Sequence, residues 1–326
     1  MPLYMILYRI LFLCLLSAGT PSGDRAKQLY KEGLHLKRDG RLEEAQQCFT
    51  AAILANSRFA DAYLELAVLF RQQQQPEPAK QQLFALLEVV PEHPEALQTL
   101  AEIFLEEKAW EDALAYAFRA QEQGCAGMHR IIGISYAQLD HPREAIQALE
   151  TAGKEGADVF PQLARLHAQQ EDYPQGIRYY EQALQRDSSA ADLYFELGMM
   201  HFNMKNYPKA TIAFEQAGKL GHAVDADLYL NLGMAHLEQA GYTDAIRHLR
   251  KALTLRPNDI QVMINLANAY YKQQDFANAI TQWNNILMLQ PLNGFAMFML
   301  GKSYICSGEV AKGQAICDQA LALGTR

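Results

Sequence analysis

Residues 226–259 read ADLYLNLGMAHLEQAGYTDAIRHLRKALTLRPND, and the spacing inside this stretch decides the fold. Tyr229, Leu232, Gly233 and His236 recur at three and four, as do Ala245, Leu249 and Ala252. That period places each set on one face of an α-helix. Between the two sets, Gln239-Ala240-Gly241-Tyr242 supplies a tight turn. The stretch reads as helix, turn, helix, with small residues where the helices face each other. A large side chain there would force them apart.

The pattern repeats along the chain in both directions. A small residue recurs at Gly33, Ala67, Ala101, Gly133, Ala164, Gly198, Gly233, Ala267 and Gly301, at intervals of 31 to 35 residues. Twelve residues after each stands a second: Ala45, Ala79, Ala113, Ala145, Gly176, Ala210, Ala245, Ala279 and Gly313. A third set, seven further on, includes Ala52, Ala120, Ala152, Ala183, Ala217 and Ala252, while Leu86 and Ile286 break it. Pro142, Pro174 and Pro208 stand where second helices open, and Pro91, Pro257 and Pro291 where repeats close.

These residues resemble the tetratricopeptide repeat (TPR) family, whose pattern is W-x2-L-G-x2-Y, then A-x3-F, then P. The eighth repeat carries it as Leu266, Ala267, Tyr270, Ala279, Trp283 and Pro291. The first, sixth, seventh and ninth also match well. The third to fifth are shorter and lack the closing proline. The resemblance implies an all-α fold, a right-handed α-α superhelix (TPR solenoid) of helix-turn-helix repeats. Residues 26–326 form nine tandem repeats, and residues 20–25 read as a linker. Repeats of 32 and 31 residues meet at Gly124-Cys125-Ala126-Gly127 and Gly153-Lys154-Glu155-Gly156. These segments read as a hinge or as rigid, altered stacking.

Composition narrows the function. The chain has 326 residues, 50% hydrophobic and 20% charged, and can bury a core. Its formal charge of −8 argues against binding a phosphate backbone, so nucleic acid is not an expected partner. The five cysteines form no C-x-x-C pair, which excludes the common zinc spacings. No P-loop, G-x-S-x-G, H-E-x-x-H or dinucleotide fingerprint occurs. Nine repeats leave no segment for a catalytic domain. No catalytic residue, metal or cofactor is assigned, and the reading is non-enzymatic.

Residues 1–19, MPLYMILYRILFLCLLSAG, are apolar apart from Arg9 and end in small residues. They read as a signal peptide or an N-terminal membrane anchor. Cleavage after Ala18 or Gly19 fits the first reading, and membrane association through the N-terminus follows from the second. A buried first helix of a cytosolic protein is the remaining alternative. Leu11-Phe12-Leu13 before Cys14 does not resemble a lipoprotein signal.

Other residue types have weaker readings. His167, His201 and His236 occupy one position in the fifth to seventh repeats, where other repeats carry Tyr136, Tyr270 and Tyr304. They read as polar aromatics filling core slots, with a pH-dependent rearrangement as the alternative. Cys306 and Cys317 lie on the two helices of the ninth repeat and admit a disulfide if the protein is exported. The last helix, with Ile316, Ala320, Leu321 and Leu323, lacks a polar cap. It reads as an oligomer edge or docking surface, or as a slightly exposed end, and the oligomeric state stays open.

By the family resemblance, positions 2, 5, 9, 12 and 13 of each first helix line a concave face that binds a protein or peptide segment. In repeats six to nine these positions include Phe195, Met199, Phe202, Leu230, Met234, Leu237, Ile264, Tyr271, Phe295, Phe298 and Ile305. The earlier repeats offer Lys27, Lys37, Arg38, Arg71, Arg130 and Arg165 alongside Glu95, Glu102 and Glu106. The expectation is an apolar groove in the C-terminal half and a mixed-charge face in the N-terminal half. Some relatives clamp a chaperone carboxylate with Lys and Asn. Tyr30 and Leu34 stand at that pair's positions here, so this mode is not implied. The resulting expectation is an exported, periplasmic or envelope-associated scaffold for an envelope, pilus, secretion or polysaccharide-export machine. A cytosolic or membrane-tethered adaptor is the alternative.

Overall fold

The computed structural model describes residues 22–223 and 225–324. Among them are eighteen α-helices and no strand. The signal-or-anchor segment 1–19 lies outside the described residues. The first helix begins at Ser22, so residues 22–25, read above as linker, are its first turn. Asp24 in that turn complements the helix dipole.

The chain divides into two compact units, Met1–Val159 and Phe160–Arg326. The boundary falls just after Gly153-Lys154-Glu155-Gly156. The first unit holds α1 (Ser22–Arg38), α2 (Leu42–Ala55), α3 (Ala60–Gln72), α4 (Pro76–Val89), α5 (Pro94–Glu106), α6 (Trp110–Glu122), α7 (Met128–Gln138) and α8 (Pro142–Lys154). The second holds α9 (Phe160–Gln169), α10 (Tyr173–Arg186), α11 (Ala191–Asn203), α12 (Tyr207–Lys219), α13 (Ala226–Glu238), α14 (Tyr242–Leu255), α15 (Ile260–Lys272), α16 (Phe276–Leu289), α17 (Gly294–Cys306) and α18 (Val310–Gly324). Within each unit, odd-numbered and even-numbered helices pair as hairpins, and each hairpin stacks on the next. Each unit is therefore an α-solenoid of helix-turn-helix repeats.

The recurring small residues act as expected. A Cβ added at Gly33, Gly133, Gly198, Gly233 or Gly301 would come within 2.6 Å of Phe49, Leu149, Phe214, Leu249 or Cys317. Each partner lies sixteen positions later, on the second helix of the same hairpin. The same offset puts Ala267 against Trp283, both fully buried in one cluster with Ile286 and Leu300. In α17 and α18 the approach is backbone to backbone: a Cβ at Gly313 would stand 2.5 Å from the Gly301 carbonyl.

One feature of the turns carried no sequence signal. In all nine hairpins the residue closing the turn is left-handed, at Gly40, Gln74, Lys108, Asp140, Glu171, Lys205, Ala240, Gln274 and Gly308. The next amide donates five residues back, from Gln75 to the Phe70 carbonyl (2.9 Å) and from Gly241 to that of His236 (2.8 Å). The turn residue's own amide donates three residues back, as from Gln74 to Arg71 (3.0 Å). This Schellman closure satisfies orphan carbonyls at the helix end. It holds seven non-glycine residues where L side chains are strained.

Candidate functional site

Within each unit first helices of successive repeats touch, α5 with α7 in the first and α13 with α15 in the second, and each unit has a first-helix face of its own. In the first unit that face is tied by ion pairs. Lys37 Nζ donates to Glu65 at 2.6 Å. Arg71 bridges Glu102 at 2.6 Å and Glu106 at 2.7 Å. Of the mixed charges expected there, Arg71, Glu102 and Glu106 pair with each other, and Lys37 pairs with Glu65.

In the second unit the row begins with a polar network. The Arg165 guanidinium holds both carboxylate oxygens of Glu196, at 2.8 and 2.9 Å. The Tyr180 hydroxyl, reaching from α10, donates to Glu196 Oε2 at 2.5 Å. Burial, then the Glu196 bond, raises the pKa of Tyr180. Neither Tyr180 nor Glu196 stands out in the sequence, because nothing local marks a hydrogen bond between neighbouring hairpins.

Beyond Glu196 the face becomes apolar. Phe195, Met199, Phe202, Leu230, Ile264 and Tyr271 are half-buried and packed on the core clusters, Met234 is half-buried, and Phe298 is exposed. Phe195 is partly covered: the His222 ring stacks on it at 4.4 Å, held by Asp192 at 2.7 Å. Phe202 meets Tyr207 edge-on at 5.4 Å, and Tyr271 meets Phe276 at 5.7 Å. Lys302 Nζ sits 5.8 Å from the Tyr271 ring and 5.9 Å from that of Phe298. This cation stands among the aromatic residues without a carboxylate partner among the described residues.

Leu237 does not belong with these residues. It is only 6% exposed and packs with Ala245, Leu249, Leu266 and Ala269 between α14 and α15. Tyr271, at the same repeat position, is long enough to reach the surface. Leucine is not, and folds into the core instead.

The histidines are not brought together; each has its own setting. His167 stacks on Tyr179 at 5.4 Å and pairs with Asp172 at 3.3 Å. His201 is buried, and burial followed by the Lys209 charge lowers its pKa. His236 stacks on His248 at 5.4 Å, with the ring planes nearly parallel. Among the described residues no three His, Cys, Asp or Glu side chains form a metal cluster.

The disulfide does not form, and both cysteines are free. Cys306 is exposed and hydrogen-bonded to the Tyr271 hydroxyl at 3.5 Å. That bond, then burial, pushes the tyrosine pKa up to about 12. Cys317 is buried under Gly301, with its thiol toward the Phe298 carbonyl. Among the described residues no helix is long and apolar enough to cross a membrane.

The sequence pattern of the tetratricopeptide repeat family matches residues 30–79, 162–221 and 230–291, just over half of the chain. No curated protein sequence matches the chain. Among solved structures, the C-terminal part of a TPR repeat-containing protein from Cytophaga hutchinsonii is 18% identical. That likeness covers 68% of this chain and 93% of that one, with a TM-score of 0.56. A tetratricopeptide repeat protein from Parabacteroides merdae is 19% identical over 76% and 99% of the two chains, with a TM-score of 0.50. YrrB, described as a TPR protein with an unusual peptide-binding site, is 23% identical over 55% and 92%, with a TM-score of 0.49. At these identities the likeness is one of fold.

Proposed function

The chain belongs to the tetratricopeptide repeat family, a fold of protein–protein interaction scaffolds, and from that premise we propose that the first-helix face of the second unit is a docking groove. Its occupant is an apolar or amphipathic segment of another protein. The observation that carries this reading is the open apolar row from Met199 and Phe202 through Met234 and Ile264 to Tyr271 and Phe298. Methionine and aromatic side chains adapt to helical or extended apolar segments. An exposed apolar strip of this kind is expensive to leave in water without a partner.

The test replaces Met234 and Phe298 by glutamate. Both side chains reach the surface, so the variant keeps its fold. Peptides selected from a random library on the full chain should carry apolar residues at three- and four-residue spacing. The variant should lose at least about tenfold in affinity for them, the scale of two buried apolar anchors. Its thermal midpoint should stay where it was. Equal binding to the variant sinks the groove.

We further propose export or membrane tethering through residues 1–19, on the strength of their apolar run and small-residue end. This favours an envelope-associated scaffold over a cytosolic adaptor. Cell fractionation with sequencing of the mature N-terminus decides it. A soluble cytosolic chain that retains residues 1–19 favours the adaptor.

A further inference from the structure

Helix α14 is the most basic second helix of the array. Its outer side exposes Arg247, Arg250 and Lys251 within five residues, in a chain whose net charge is −8. Asp244 holds Arg247 at 2.8 Å. No carboxylate among the described residues reaches Arg250 or Lys251. Within α16, the next second helix, no side chain is charged, and the carboxylate at its N-cap, Asp275, is engaged by Asn278.

Two adjoining open cavities follow this side. One of about 460 Å³ lies along α14 between Thr243 and Thr254. The other, of about 420 Å³, continues past Tyr270 to Asn278 and Gln282, and the two share Arg250 and Thr254. Their lining is rich in donors. Thr243 Oγ1 already accepts from Gln273 at 3.0 Å, which leaves its hydroxyl hydrogen free. Asn278 spends one amide hydrogen on Asp275 and keeps the other. Beneath the patch, the buried His248 also reports a positive surrounding. After burial itself, the Arg247 charge is the largest cause lowering its pKa, and Lys251 acts in the same direction.

We propose that this outer trough on α14 and α16 is a second docking site, which takes an extended acidic segment of a protein partner. A donor-rich, cationic trough is complemented by a run of carboxylate acceptors. Its length across two repeats suits an extended chain better than a compact anion. Three cations, one already paired, are too few for a nucleic-acid backbone on an acidic protein. The cations of the site lie on a second helix, and α15 contributes only Leu266 and Tyr270 to its lining, neither of them a residue of the first-helix groove, so the two readings fail independently.

The probe is a fluorescein-labelled decapeptide of alternating Glu and Ser, with Gln in place of Glu as the control, added to the full chain. The Glu peptide should bind and the Gln peptide should not. Raising NaCl from about 0.05 to 0.5 M should weaken binding several-fold, because exposed charges are screened. Arg250→Glu should cost about tenfold or more, and Arg250→Lys about twofold. Phe298→Glu, in the groove, should leave this binding unchanged. Arg250 is exposed, so its variants are expected to fold, and circular dichroism confirms it. Equal binding of the Gln peptide, no binding of the Glu peptide, or an unaffected Arg250→Glu variant overturns the site. Tighter binding of a single-stranded RNA dodecamer or of anionic vesicles at Arg250 overturns the assignment to protein.

Discussion

At residue scale, His248 gives the clearest dependence on pH. Its ring stacks on His236 and lies 5.9 Å from that of Tyr229. Burial first, then the charges of Arg247, His236 and Lys251, lower its pKa from 6.5 to about 4, and Asp244 opposes them only in part. The unfolded chain takes up a proton at the ordinary value, whereas the folded chain resists until about pH 4. Stability from this residue is therefore full above pH 6.5, falls as pH drops through the window, and is lost below about 4. The equivalent positions in the third and fifth hairpins carry Tyr116 and Tyr179, which stack on Phe104 and His167. His248→Tyr should keep the stack and flatten the fall in urea midpoint between pH 6.5 and 4. Parallel curves for the two proteins would place the acid sensitivity elsewhere. The sequence marked His236 as a polar aromatic in a core slot. It gave no sign of His248 as its partner, because that contact lies between two helices.

At the scale of the element, the hairpin turn is the unit that repeats most faithfully. Ala240 is held left-handed with φ near 58° and has no polar side-chain group to offset the strain. Ala240→Gly should stabilise the protein by roughly 1 kcal/mol, read as a higher urea midpoint with an unchanged slope. Gly40→Ala, at the turn where glycine already stands, should cost a similar amount. No gain at Ala240 would mean that the backbone bonds from Gly241 and Ala240 already absorb the strain. The helices themselves were legible because small residues recur at a fixed interval. The left-handed turn was not, since Gln74, Lys108 and Glu171 are ordinary helix formers and only the two closing hydrogen bonds reveal it. Leu237 shows the same limit: a repeat position names a direction, and side-chain length decides whether the atom arrives at the surface.

At the scale of the whole molecule, the division at Val159 and Phe160 separates distinct cores. The first unit has clusters around Leu97, Leu100 and Ala117 and around Phe49 and Leu69. Among the described residues, the second has clusters centred near Tyr180, Phe214, Leu249 and Trp283. Arrays of this kind gain stability from nearest-neighbour interfaces rather than from one shared core. Residues 22–159 and 160–326, expressed separately, should each keep helical circular dichroism and unfold cooperatively. A fragment without helix would show that its cores are incomplete alone. The units also differ in charge: the first carries 15 basic and 22 acidic residues, the second 14 and 15. That asymmetry was countable from the sequence. The basic outer side of α14 within a nearly neutral unit was not, because it required knowing which face of that helix is buried.

The free thiols of the last hairpin have a consequence in time. Cys306 stands in solvent, while Cys317 is 6% exposed, sealed beneath Gly301, with its pKa raised by burial. A thiol reagent meets the first at once and the second only when α18 lifts from α17. The hairpin thus carries a fast and a slow clock on adjacent helices. The interval between their two reactions measures how often this hairpin opens.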